Sequence, residues 1–352
     1  MGEQKRLRVL IVYGELLEYR IPIFEKLGEK VDLTVTHSGK QMTNNDFGFK
    51  EVVLPLTKFW RFKYQFGLRE IVRNGRFDTV VFFMDISWLS TVLNFLVPPS
   101  SIRRVTWGLW RTGKQLPDVI RIWLSKAADS NIFYSTEAAQ DFFACGLSQN
   151  RISVARNTVR VDNPGRNNDS VRDSILIVGS FDPRKRNDVT ISAFSNTAAR
   201  INVPVRLVFV GAGEQLEEIK LLASNSPLRD QIEFFPQTHD VGTLRNFYDR
   251  AICVVSYGQA GLSVLQSFAF GVPFITSENA ISGGEIENIQ HKSNGFLVRD
   301  TQEHLEEIIE ELLSNPAMAD SMGVAALNYY ISHASASHMV SGFMNAICDE
   351  LR

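Results

Sequence analysis

Three segments of this chain combine glycines, cations and helix starts in ways that suit an anion. Ser256–Gly271 (SYGQAGLSVLQSFAFG) places Gly258 and Gly261 directly after an apolar run, where glycine permits tight backbone approach. A helix is expected from Leu262 onward, and its first N–H groups, near Gly261, Leu262 and Ser263, lack partners within the helix and favour negative charge. A phosphate is the natural guest; a turn that uses its glycines only to join strand to helix is the alternative reading. Gly179 closes a second apolar run and is followed by Ser180, Arg184, Lys185 and Arg186. Three cations in a loop before a helix suit a diphosphate that gains charge as a bond breaks, although solubility alone also accounts for surface cations. Gly211 and Gly213 close a third run, a weaker signal by itself.

These loops need strands and helices to hold them. Arg8–Tyr13, Val31–Thr36, Thr79–Phe83, Arg104–Thr106 and Asn131–Tyr134 read as strands of a parallel sheet, since both faces are apolar and helical stretches lie between them. From Ser174 the pattern restarts with Ile175–Gly179, Val205–Val210, Ile232–Phe235, Ile252–Val255 and Pro273–Thr276. Helices are expected at Asp188–Ala199, Gln215–Asn225, Thr243–Arg250, Leu262–Phe270 and Gln302–Ser314, and beyond Pro316 at Met318–Ser332 and Ser337–Leu351. Asn157–Asp173, rich in Asn, Asp, Arg, Pro and Gly, reads as the join between two doubly wound α/β units. The expected division is 1–162, 163–330 and a last helix over 331–352 that packs back on the first unit. In such sheets a ligand sits beyond the carboxyl ends of the strands.

The ordered series VYGELLEYRIPIFEKL, SVARNTVRVD, VGSFDPRKRNDVTISAF, VGAGEQL, IEFFPQT and GQAGLSVLQSFAFGVP resembles the retaining glycosyltransferases of family 4 over nearly the whole chain. The resemblance implies an α/β GT-B fold, two facing Rossmann-like domains with a central cleft. It implies transfer of a sugar, with retention of configuration, from a nucleotide-diphosphate-sugar (UDP- or GDP-sugar) to a glycan or lipid-linked glycan acceptor. The family carries two glutamates eight positions apart, for donor sugar and ribose; here those positions hold Gly258 and Gln266. Gln266 can still bond a ribose diol through its amide. Glu285 and Glu287, in the loop Ser277–Glu287 with Gly283 and Gly284, stand in for the missing carboxylate, with a helix N-terminal dipole partner as the alternative for Glu287. Lys185 matches the family lysine directed at the diphosphate, Ser180 replaces its arginine, and Pro236 and Gln237 fall where the base is cradled, with the Phe235 ring expected in the core. On the acceptor side the resemblance implies Gly14, Arg20, which suits an acceptor phosphate, and Asn157, for which a plain turn residue is the alternative. Catalytic roles thus fall to Lys185, Gln266 and Glu287. The family histidine has no counterpart where Thr106–Arg111 stands.

Composition bounds this reading. The 352 residues carry a net charge of −2 and a 44% hydrophobic fraction, which excludes wholesale disorder. Cys145, Cys253 and Cys348 lie far apart with no metal spacing, and no Asp-x-Asp stands at a strand end, so no metal or other cofactor is expected. The apolar runs Thr79–Met84 and Trp88–Val97 are too short for a membrane span, no signal peptide is read in the basic Met1–Arg8, and a cytoplasmic protein is expected. The neutral sum hides a split: residues 1–162 carry a balance of +7 and the remainder −9. Within the first half, Lys58–Arg76 interleaves basic residues with Phe59, Trp60, Phe62, Tyr64 and Phe66, and Trp107–Lys126 adds cations and three tryptophans. That mixture suits an anionic membrane face; a partly buried helix with snorkelling cations is the plainer alternative, and no nucleic-acid motif accompanies it. Two other functions stay open, a nucleotide-sugar epimerase on the same fold and a catalytically silent GT-B partner.

Overall fold

The computed structural model describes residues 6–42, 47–99, 101–167 and 170–348. The chain divides into two units, residues 1–160 with 336–352 and residues 161–335. The helix expected to reach Leu351 is described only as far as Ile347, and two residues of the expected join lie outside the described residues.

The first unit is a seven-stranded sheet. In chain order its elements are β1 (Arg8–Val12), α1 (Ile21–Gly28), β2 (Asp32–His37), β3 (Lys50–Val53), a hairpin of β4 (Leu56–Phe59) and β5 (Phe62–Gln65), and α2 (Leu68–Asn74). There follow β6 (Thr79–Phe83), α3 (Leu89–Leu96), β7 (Arg103–Trp107), α4 (Gln115–Ala127), β8 (Ser130–Phe133), α5 (Thr136–Ala144) and β9 (Ile152–Val154). The sheet order β3-β2-β1-β6-β7-β8-β9 is parallel throughout. The strands β1, β6 and β8 are buried on both faces, which is why they read as continuous apolar runs. One face is covered by α1 and by α12 (Ala336–Ile347), through Ile23, Phe24, Leu27, Met339 and Phe343. The opposite face is covered by α2 to α5, through Leu68, Val72, Phe95, Leu124 and Phe142. The last helix closes on the sheet through Gly342, where a Cβ would lie 2.4 Å from the Val154 carbonyl oxygen.

Sequence reasoning passed over β3, β9 and the hairpin. The segment Lys58–Arg76, for which a partly buried helix was the alternative, is a β-hairpin followed by the short α2. Within it Trp60, Phe62, Tyr64 and Phe66 stand at alternate positions, a period of two that suits a strand rather than a helix.

The second unit contains β10 (Ser174–Val178), α6 (Asn187–Ile201), β11 (Arg206–Val210), α7 (Leu216–Ser224), β12 (Ile232–Phe235), α8 (Val241–Asp249) and β13 (Ala251–Val255). It continues with β14 (Gln259–Ala260), α9 (Ser263–Ala269), β15 (Phe274–Ser277), β16 (Ile281–Ser282), β17 (Gly295–Val298), α10 (Gln302–Ser314) and α11 (Pro316–Tyr329). Its six-stranded sheet, in order β12-β11-β10-β13-β15-β17, is also parallel. The order reverses at β10, so the loops after β10 and β13 leave neighbouring strand ends, the place where open α/β sheets bind ligands. The Phe235 ring, expected in the core, lies at the surface against Phe247, because alternation along β12 turns Ile232 and Phe234 inward instead.

Candidate functional site

The strand β10 ends at Val178, and Gly179 follows with φ 130°, a conformation that glycine adopts without strain. Asp182 then caps a single 3-10 turn, Pro183–Lys185, by accepting the Arg184 N–H, and Arg186 reverses the chain at φ 52° into α6. This reversal turns Lys185 inward, leaving it 6% exposed. Its Nζ donates to Ser256 Oγ at 3.2 Å, at the end of β13. A Cβ on Gly179 would lie 3.7 Å from the same Nζ. Burial holds the Lys185 ammonium below the ordinary lysine value; Asp182 pulls the other way, and Arg184 adds to the lowering. A buried cation with no carboxylate bonded to it, at a strand end, is electrostatically incomplete without an anion.

The two flanking arginines are arranged differently. Arg184 is largely exposed and bonds Asp182 through Nε at 3.0 Å and Nη2 at 3.2 Å. Arg186 donates to Asp300 at 2.5 Å and lies 4.7 Å over the Tyr257 ring, whose hydroxyl burial pushes up to about 12. Both are thus held by acids, and Lys185 is the member of the trio whose charge is not. Ser180 bonds Asp182 at 3.0 Å and lies at the surface.

The glycines do less for a ligand and more for the chain than their spacing implies. A Cβ on Gly258 would fall 2.2 Å from the Arg184 carbonyl oxygen, and the Gly258 N–H donates to the Lys185 carbonyl at 3.0 Å. A Cβ on Gly211 would lie 1.9 Å from the Gly179 carbonyl oxygen, and one on Gly213 2.2 Å from that of Phe181. On the side where a Cβ would stand these three positions meet protein backbone, which locks the loops after β10, β11 and β13 together around Lys185. Gly258 therefore excludes any side chain, including the glutamate of the resembled family.

Open space is found at Gly261, where a Cβ would meet nothing within 4 Å. The helix α9 starts one residue later than expected, at Ser263 rather than Leu262, and Ser263 Oγ is buried without a hydrogen-bond partner. One turn on, Gln266 accepts from the Tyr248 hydroxyl at 3.1 Å, which fixes its carbonyl oxygen and leaves its NH2 group as the donor. Tyr248 is fully buried, and burial raises its phenol above the ordinary value. The two loops are zipped by β14 and β16, with the Ile281 N–H donating to the Gly258 carbonyl at 2.9 Å. Glu285 is buried, its carboxylate accepting from the Gly283 N–H at 2.9 Å and from Ser282 Oγ at 3.3 Å. Gly284, at φ 112°, starts the turn Glu285–Asn288 that carries the half-buried Glu287. Of the two glutamates, Glu285 braces its own turn. Pro236 and Gln237 follow β12 at the surface, and Gln237 bonds His239 at 3.0 Å.

Sequence reasoning missed Ser256, Tyr248 and Asp300, which hold Lys185, Gln266 and Arg186. None has a spacing signal, because each meets its partner only across the fold.

In the first unit, a Cβ on Gly14 would meet the Trp88 ring at 2.7 Å, so this glycine makes room for an indole. Arg20 is 1% exposed, donates to the Tyr134 hydroxyl at 2.8 Å, and lies about 5 Å over the rings of Tyr19, Trp107 and Tyr134. Its guanidinium is enclosed by aromatic rings rather than presented at the surface. Asn157 lies in the irregular stretch after β9, half-buried. Among the described residues there is no group of three or more His, Cys, Asp or Glu side chains that could hold a metal ion, and no helix is long and apolar enough to cross a membrane.

Two parallel-sheet Rossmann-like units define the GT-B fold class, and the comparisons with known proteins agree. The structure matches, over 97% of this chain and 99% of the other, that of Anabaena Alr3699/HepE in complex with UDP, with a TM-score of 0.74 and 13% identity. It matches the lipopolysaccharide outer core galactosyltransferase WaaB over 98% and 100% of the two chains, with a TM-score of 0.71 and 13% identity. Residues 163–328 match the family of glycosyl transferases group 1. An uncharacterized glycosyltransferase of Haemophilus influenzae is 27% identical over 262 residues, 71% of each chain. The chain thus has the GT-B fold, and its residues 163–328, the segment that matches the group 1 glycosyl transferases, contain all of the Lys185 site.

Proposed function

We propose that the chain transfers a sugar from a nucleotide-diphosphate-sugar to a glycan or lipid-linked glycan acceptor, with retention of configuration, in cell-surface polysaccharide synthesis. The observation that carries this reading is Lys185: a buried ammonium, bonded to Ser256 and to no carboxylate, inside the segment homologous to group 1 glycosyltransferases. Its natural complement is the donor diphosphate. The relative with UDP bound and the lipopolysaccharide galactosyltransferase support the donor class and the kind of product.

In this reading the diphosphate lies against Lys185 and the open turn Gly261–Ser263, and the Gln266 NH2 donates to the ribose. As the glycosidic bond to the donor breaks, negative charge grows on the β-phosphate, and the fixed cation and N–H groups stabilise it without reorganising. A front-face departure lets that phosphate accept the acceptor hydroxyl's proton while the acceptor oxygen bonds the anomeric carbon on the same side. Glu287 serves in this reading as the carboxylate that orients the donor sugar. Gly14, Arg20 and Asn157 belong to the acceptor side, Arg20 through its aromatic surroundings, and the acceptor is presented at the inner face of the cytoplasmic membrane.

The test is incubation with a panel of UDP- and GDP-sugars and NMR of the product. Transfer with the donor's anomeric configuration kept is the expected result. Inverted product would end the retaining mechanism, and donor turnover without a new glycosidic bond would end the transferase reading.

A further inference from the structure

The helix α4 is amphipathic in the reverse of the usual sense. It buries Asp118 and Arg121, paired at 3.4 Å, together with Leu124 and Ser125. It exposes Leu116 (72%), Val119 (62%), Ile120 and Trp123 (54%). The spacings of three, one and three residues put these four on one stripe along the helix. Asp118 accepts from the Thr112 and Gly113 N–H groups, so the helix's acidic side chain is turned inward onto the loop before it. Arg111 and Lys114 precede the stripe and Lys126 follows it. The outward face is therefore apolar with a cationic margin.

A second element of the same unit has the same character. The hairpin β4–β5 ends in Phe59 (79% exposed) and Trp60 (81%), and Trp60 takes φ 53°. A left-handed backbone is unfavourable for a bulky residue, and glycine or asparagine would serve the turn better, so an indole at the tip is held there against local preference. Arg61 lies 4.6 Å over the Trp60 ring, and Lys58 and Lys63 flank it. From residue 52 to residue 69 there are four cations and no acid. The hairpin packs against α3 at the carboxyl end of β6, where Lys63 bridges Trp88, and α3 and α4 both cover the sheet face opposite α1 and α12.

We propose that this face of the first unit docks on an anionic lipid bilayer, with the α4 stripe lying in the interface and the hairpin tip inserted beside it. The occupant follows from charge complementarity. An exposed apolar helix stripe bordered by cations, with its acid turned inward, matches a negative headgroup layer over acyl chains. The proposal deepens the reading of a membrane-side acceptor, but it stands on the first unit alone and its test uses no glycosyl transfer.

The experiment is cosedimentation of the full chain with vesicles of phosphatidylcholine alone and of phosphatidylcholine with phosphatidylglycerol, at low and high salt. Binding is expected to the anionic vesicles only, to weaken with salt, and to shift tryptophan emission to the blue. The surface pair Val119→Ser/Trp123→Ser and, separately, Trp60→Gly are each expected to lower the partition coefficient at least tenfold. Both variants should keep the wild-type circular dichroism and nucleotide-induced rise in Tm. Equal binding to neutral vesicles, no binding to anionic ones, or full binding by both variants would overturn the proposal. So would a wild-type dimer that the variants convert to monomer, which would assign the face to a second copy of the chain.

Discussion

Replacing Lys185 by Met removes the charge while keeping a side chain of similar length, and the structure fixes what should follow. Nζ is buried and bonds Ser256 Oγ, which itself donates to the Gln259 carbonyl and so keeps a partner in the variant. Nucleotide-free protein should therefore melt no lower than wild type, because a buried charge bonded to no acid adds little to stability. Nucleotide binding should suffer far more. A hydrogen bond to a charged group contributes about 1.5–3 kcal/mol, which is roughly 10- to 150-fold in Kd. The assay is thermal unfolding with and without UDP or GDP, whichever binds. At a concentration about 100 times the wild-type Kd, saturation stabilises by about 2.7 kcal/mol. For a domain the size of the second unit, each 1 kcal/mol moves Tm by about 2–4 °C. The wild-type rise is then roughly 5–11 °C, and a variant with 100-fold weaker affinity should rise only about 1 °C under the same conditions. A variant that melts lower than wild type yet keeps the full nucleotide-induced rise would show that Lys185 braces the fold and does not meet the diphosphate.

Two further outcomes follow from the same site. The free Lys185 ammonium is held below the ordinary lysine value by burial, and a bound diphosphate raises it again, so nucleotide affinity should fall as pH rises through the lowered value. Titration calorimetry across alkaline pH would show this loss, and Lys185→Met should abolish it. In the nucleotide-free protein the linkage has the opposite sign: the unfolded chain binds the extra proton, so this group's contribution to stability increases as pH rises from the lowered value toward the ordinary one. Gly258→Ala should cost about 1–3 kcal/mol, since its Cβ would sit 2.2 Å from the Arg184 carbonyl oxygen and one of the two strands of chain must move. Because the Gly258 N–H also holds the Lys185 carbonyl, the variant should lose nucleotide-induced stabilisation as well as Tm; wild-type melting would refute the packing argument.

How much of this was legible in the sequence varies by level. The central parallel strands were visible because both of their faces are buried, so Thr79–Phe83 falls at the expected bounds, and the edge strand Ile232–Phe235 was marked by its short apolar run. The hairpin was obscured because Phe59, Trp60 and Phe66 are exposed and Phe62 and Tyr64 only half-buried, so its aromatic residues do not mark an inward face. Lys185 stood out by its place between a strand-ending glycine and a helix. Its flanking arginines looked equivalent in sequence, and only the fold tied one to Asp182 and the other to Asp300.

The sequence by itself determined the local chemistry: apolar periods that make two parallel sheets, glycines at strand ends, cations before a helix, and an opposite charge sign in each half. The tertiary structure decided which of those features remain available. It filled the space at Gly211, Gly213 and Gly258 with neighbouring backbone, enclosed Arg20 in aromatic rings, and left open space at Gly261. The physical reason is that spacing fixes what a residue can do along the chain, whereas vacancy, burial and ion pairing depend on segments more than a hundred residues away that only packing brings into contact.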